Sequence, residues 1–171
     1  MRNSLNVFTA SLCIILFLGI TVQATAQEKK ITKKDVPAAI LSAFQKAYPD
    51  AKVKGYSTET ENGKTTFEVE SMVGNMTLDV EYLPDGTATE IEEGAAPKDL
   101  PSAVTDAVKA KYAKGKIAKA EKKTVGTTVT YELKVMEGKG HVGLEIDPSG
   151  KIIKESKGTA KKEEKEEKEK D

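Results

Sequence analysis

Sliding the sequence on itself by 64 residues brings Asp35-Val36-Pro37 onto Asp99-Leu100-Pro101, and the register then runs without a gap to Glu93 and Lys157. The 59 paired positions contain 14 identities, among them Asp35, Pro37, Ala39, Tyr48, Glu68, Met72, Gly74, Pro84 and Gly86 with their partners. Most other apolar positions match by type, as Ile40 with Val104, Val69 with Leu133 and Val80 with Leu144. Conserved hydrophobic phase over that distance means that one supersecondary unit occurs twice in tandem. The reading divides the chain into residues 35–93 and 99–157, with linkers at 27–34 and 94–98.

Each copy opens as a helix and continues as strands. Val36, Ile40, Ala43, Phe44 and Ala47 recur at helical spacing, with Asp35 as the expected N-cap, Pro37 in the first turn and Tyr48-Pro49 as the stop. Leu100, Val104, Ala107 and Val108 repeat the pattern. Val53 to Glu61 and Lys64 to Met72 then read as strands joined by Asn62-Gly63, a pair suited to a hairpin turn of positive φ. Met76 to Tyr82 alternates as a third strand, and Pro84-Asp85-Gly86 turns into a fourth, Thr87 to Glu92. In the second copy, Lys116 to Glu121 alternates poorly, which predicts a bulge there.

The predicted fold class is therefore α+β: two tandem helix-plus-four-stranded antiparallel sheet repeats, helices on one face and an open sheet face on the other. Phe67, Val69, Leu78, Val80, Tyr131, Leu133, Val142 and Leu144 are expected to face the helices, and their neighbours to face water.

The termini add a compartment. Arg2, an apolar run from about Leu12 to Val22 and the small-x-small site Ala24-Thr25-Ala26 read as a signal peptide over residues 1–26. A membrane helix needs about 20 apolar residues, so the run favours export to the periplasm or beyond, with no membrane association after cleavage. Cleavage would remove Cys13, the only cysteine, and Arg2, the only arginine. The mature chain would then hold 26 lysines against 27 acids, a net charge of 26 − 27 = −1, which gives no basic excess for nucleic acid and no disulfide. Residues 158–171 read as a charged, disordered tail; from Lys157 on, six lysines meet six acids.

Leu/Val-Pro-x-Ala-Ile/Val at the helix start, Tyr48-Pro49-Asp50-Ala51-Lys52-Val53 after it, Phe67-Glu68-Val69-Glu70 and the Pro84-Asp85-Gly86 turn resemble the PepSY-like family of exported bacterial proteins. Their tandem arrangement looks like the architecture of beta-lactamase inhibitor protein. The resemblance covers residues 35–157 and implies two helix-plus-four-strand units whose sheets continue into one curved surface, in a binding or inhibitory module. That inhibitor carries disulfides, which the mature chain would lack. Its target-inserting residues have no match here, so lactamase inhibition is not carried over.

No residue set specifies a reaction. His141 is the only histidine and has no cysteine beside it for a transition-metal site, so no metal site is assigned. Ser42, Ser57, Ser71 and Ser102 lie in no nucleophile elbow, and neither a dinucleotide fingerprint nor a phosphate loop occurs. The reading is non-enzymatic, with no catalytic residues and no cofactor. An enzyme would have to rest on an unrecognised carboxylate pair such as Glu68 with Asp79.

One constellation rises above the background. If the strand phase holds, Glu68, Glu70, Asp79, Glu81, Glu90 and Glu92 share the open face of the first copy, where the second copy has Glu132, Lys134, Gly143, Glu145, Lys154 and Ser156. The functional reading is a surface that docks on an envelope or secreted protein, with inhibition of that partner as one consequence of docking. The alternative is a cation or small ligand held on the same acidic face. The bland reading is a solvated strand face neutralised by lysines such as Lys52 and Lys54. Tyr56, Tyr82 and Met136 are candidate anchors, Tyr82 being in phase with the core. The partner's identity and the oligomeric state are not legible in the sequence.

Overall fold

A computed structural model describes residues 28–159. The signal peptide reading of 1–26 and the proposed tail beyond residue 159 lie outside these residues, while Gly158 and Thr159, read as the start of that tail, belong to the last strand and pair with His141 and Gly140. The chain runs β1 (Lys29–Ile31), α1 (Ala38–Ala47), β2 (Lys52–Glu61), β3 (Lys64–Val73), β4 (Met76–Tyr82), β5 (Ala88–Gly94), α2 (Ser102–Lys111), β6 (Lys116–Val125), β7 (Thr128–Glu137), β8 (Gly140–Ile146) and β9 (Ile152–Thr159). Short 3-10 turns at Lys33–Asp35 and Pro97–Asp99 precede the helices. All nine strands join in sequence order into one antiparallel sheet. α1, β2, β3 and β4 recur as α2, β6, β7 and β8 at an offset of 64 residues.

Both helices pack on the same face. The register carries Val69 to Val80 and Ile91, and Ser71 through Leu78, Glu93 and Lys122 to Tyr131 and Ile146. Ile40 and Phe44 bury against Val69, Leu78, Val80 and Tyr82, while Val104 and Val108 bury against Leu133, Val135, Val142, Leu144 and Ile146. Full burial of such a side chain contributes roughly 1.5–3 kcal/mol, so the alternating strand pattern fixes which face is wet. Of the expected core, Phe67 and Tyr131 are half-buried at the margin of these clusters.

Two local expectations change and one holds. The predicted linker at 27–34 contributes β1, which pairs Lys29, Lys30 and Ile31 with Thr58, Ser57 and Tyr56. Asp35 does not cap α1: its Oδ2 accepts from the Thr32 backbone N–H at 3.0 Å and from the Thr32 hydroxyl at 2.7 Å, closing the 3-10 turn. Pro37, which needs no N–H partner, stands at the N-cap of α1 instead. The bulge expected near Lys116 exists between Ile117 and Lys119, and a matching one falls between Val53 and Gly55.

Turn chemistry follows the sequence. Asn62 (φ 51°) and Gly63 (φ 76°) take the two positive angles of a tight hairpin. Gly86 and Gly150, at φ 88° and 90°, let two strand turns press on the first turns of the helices: an added Cβ would stand 2.9 Å from the Ala39 carbonyl oxygen and 2.5 Å from that of Ala103. Gly150→Ala is therefore expected to lower stability by about 1–3 kcal/mol. Gly126→Ala, where the new methyl meets nothing within 4 Å, should cost less. Urea unfolding of the two variants checks the order, and equal losses would contradict the packing argument.

Candidate functional site

The face opposite the helices gathers the six carboxylates into two cross-strand rows. Glu68 of β3 pairs with Glu81 of β4 and Glu81 with Glu90 of β5; Glu70 pairs with Asp79, and Asp79 with Glu92. The hairpin register adds Glu59, opposite Thr66 on the same face, and Glu28 ahead of β1 completes a hollow of about 180 Å³ lined by Ser57, Glu59, Glu68, Glu81 and Glu90. Carboxylate oxygens of Glu28, Glu68 and Glu70 all lie within 4.8 Å of one another.

This is not a freely solvated face. All six carboxylate residues are half-buried, and Ser57, Glu121 and Thr130 on the same face are buried. Close approach of side chains to glycines across the strands accounts for the crowding. The Glu70 carboxylate lies over Gly55 and the Thr77 hydroxyl over Gly94, at 3.1 and 2.7 Å from where a Cβ would stand. Lys123 of β6, rather than Lys52 or Lys54, supplies ion pairs to the patch: its Nζ contacts Glu90, stands 3.2 Å from Glu92 and reaches Glu132 at 3.6 Å.

The electrostatics follow from that crowding. Burial, with the charges of Asp79, Glu70 and Glu28 added, pushes the Glu68 carboxyl up to about 7 although the Ser57 hydroxyl donates to its Oε2 at 3.0 Å. Burial likewise raises Asp79, helped by Glu70, Glu121 and Glu92 and opposed by the Ser71 N–H at 3.2 Å. Glu90 is raised by burial too, against the pull of Lys123. Burial opposes the charge of Lys123 in turn, but the carboxylates of Glu90 and Glu92 raise it well above the usual lysine value. Such a surface attracts cationic groups and penalises anionic ones.

The second half of the same face is mixed in sign. Lys119, Glu121, Glu132, Lys134, Glu145 and Lys154 rim a hollow of about 230 Å³, and Lys119 Nζ meets Glu121 at 2.7 Å. His141 lies half-buried across Gly158 near β9. Of the expected anchors, Tyr82 is buried in the core, Tyr56 packs against it on the helix face, and Met136 is exposed. Glu28 and Glu59 escaped the sequence reading. Counting outward from Asn62-Gly63 pairs 59 with 66 and would have placed Glu59; Glu28 had no such signal.

The sequence matches the profile of the family described as "Putative beta-lactamase-inhibitor-like, PepSY-like" over residues 22–71 and again over 65–154. The chain belongs to this PepSY-like family. No curated protein matches it in sequence. Its fold is similar to solved structures from Bacteroides. A "putative periplasmic" protein of Bacteroides eggerthii DSM 20697 aligns with TM-score 0.62 and 14% identity, covering 71% of this chain and 88% of that one. A DUF2874 family protein of Bacteroides uniformis ATCC 8492 gives TM-score 0.61 and 16% identity over 71% and 89%. A BLIP-like protein of Bacteroides fragilis NCTC 9343 gives 0.57 and 19% over 72% and 87%. At these identities the likeness is one of fold. For this PepSY-like chain the acidic face is a property of its own residues.

Glu68 makes the face sensitive to pH. With an ordinary value of 4.5 and a folded value of about 7, the folded state holds a proton that the unfolded state releases between them. Its contribution therefore falls as pH rises through that window. Denaturant midpoints of the wild type should drop from pH 5 to pH 8, and Glu68→Gln should raise the pH 8 midpoint and flatten the change. An unchanged slope in the variant would contradict the assignment.

Proposed function

We propose that this chain is an exported, non-enzymatic PepSY-like binding module, two tandem helix-plus-four-strand repeats whose open sheet face docks on a protein of the cell envelope. Export is supported by the signal-like residues 1–26 and by likeness to a protein described as periplasmic. Among the described residues no helix is long and apolar enough to cross a membrane. The BLIP-like neighbour makes inhibition of the partner the first activity to assay.

The observation that carries the reading is the pair of acidic rows, six half-buried carboxylates on three adjacent strands held in register by the sheet. A rigid surface of one sign selects a partner that brings lysines or arginines to it and speeds the encounter. The cluster of Glu28, Glu68 and Glu70 favours a second reading, a divalent cation held on the same face.

Tagged residues 27–171 should capture a partner from an envelope extract. The variant with Glu68, Glu70 and Glu81 changed to Gln and Asp79 to Asn should recover at least about tenfold less of it. Equal recovery by both would remove this patch from the interface. Melting curves taken alongside separate the second reading: a rise in Tm with millimolar Ca²⁺ that Glu68→Gln with Glu70→Gln abolishes would move the function to the cation.

A further inference from the structure

On the helix face, a groove of about 670 Å³ runs between α2, the 3-10 turn before it and the start of β6. Leu100, Val108 and Ile117 supply its apolar walls, and Lys98, Lys109 and Lys116 stand exposed around it. The corresponding positions of the first half, 64 residues earlier, show why the second half is open. Thr105 stands where the first half has Leu41, and Val108 where it has Phe44. Leu41 and Phe44 pack into the first core, and the Phe44 ring lies 5.3 Å from that of Tyr48. Gly115 replaces Ala51, and it must stay small because an added Cβ would stand 2.7 Å from Val135 Cγ1. At the rim, Lys109 replaces Gln45. The second half has thus lost side-chain volume beside its helix and gained Lys109 at the edge of the space, in an exposed and therefore weak ion pair with Asp106 at 3.4 Å.

The geometry points to a binding site for a small anionic amphiphile, a molecule with one carboxylate-like head and an alkyl tail, seated with its tail between α2 and β6 and its head among Lys98, Lys109 and Lys116. The space is an open groove, mostly apolar with a few polar groups at one side, large enough for an alkyl chain to lie along it. Lysines suit a single anionic head as mobile point charges on long stems. This site lies on the opposite face of the sheet from the acidic patch and does not depend on the docking function.

The test is an NMR titration of ¹⁵N-labelled protein with sodium decanoate, kept below micelle formation, beside decyltrimethylammonium. Saturable shifts of the Leu100, Thr105 and Ile117 amides with decanoate, and weaker ones with the cation, are expected. Thr105→Leu with Val108→Phe, which copies the first half, should weaken decanoate binding by at least about tenfold. Changing Lys98, Lys109 and Lys116 to Gln alters only exposed residues and should weaken it several-fold, so the test stands even if the filled variant does not fold. The proposal is overturned if decanoate gives no saturable shift, if the cation binds as well, or if both variants bind decanoate like the wild type. It is equally overturned if the same amides move with protein concentration alone, which would give the groove to a second copy of the chain.

Discussion

The pairing of β5 with β6 is the constraint on which the rest depends, because it turns two helix-covered stretches into one sheet. Five residue pairs join these strands, from Glu90 with Val125 to Gly94 with Glu121, and the Ala95 N–H donates to the Ala120 carbonyl at 2.8 Å just beyond them. Side-chain charge fits the join on both faces. Glu92 faces Lys123 on the open side and Glu93 faces Lys122 on the helix side, the latter pair at 3.0 Å. Exposed ion pairs contribute about 0–1 kcal/mol each, so the backbone ladder carries the join. The charges instead favour this register, since a slip by one residue in one direction would set Glu93 opposite Glu121. The outer edges left by this join are β1, three residues long, and β9, which bears Lys154 and Lys157. Both are devices that discourage further strand pairing.

A shared frame has let the two halves diverge on both surfaces. Most buried positions keep their apolar character, as Ile40 and Val104 or Val80 and Leu144 do, while buried Ser71 stands where the second half has Val135. On the open face, acids dominate the first half and lysines alternate with acids in the second. Lys123 binds these two regions electrically, since it belongs to β6 yet meets Glu90 and Glu92 of β5. On the helix face, Phe44 and Leu41 fill what Val108 and Thr105 leave open. Sheet register fixes where a side chain can point, and composition at each position then decides what the surface attracts.

Period-two alternation made most of this legible in the sequence. It identified β3, β4, β7 and β8 with their inward faces, and the same parity put Glu68, Glu70, Asp79, Glu81, Glu90 and Glu92 together. What escaped depends on contacts distant in sequence or on short local hydrogen bonds. β1 has three residues, two of them lysines, and its strand form comes from the edge of β2 rather than from its own pattern. Asp35 is a good capping residue, but Pro37 two positions later leaves it to serve the 3-10 turn with Thr32. The sequence points to Lys52 and Lys54 of the neighbouring β2 as counterions of the acidic rows, whereas the pairing of β5 with β6 delivers Lys123. Half-burial of the rows is likewise a property of the assembled sheet, which no single strand's alternation encodes.

Residue-resolved hydrogen exchange of the backbone amides at 90–94 and 121–125 tests the continuous sheet most directly, because the acidic rows keep Lys123 only if β5 and β6 stay paired. The amides that donate across the join between β5 and β6 should exchange as slowly as those of β3 and β7, opening only with the sheet as a whole. Exchange there at the rate of the hairpin tips at 62–63 and 126–127 would contradict the account, leaving two separate sheets and an acidic face without its lysine.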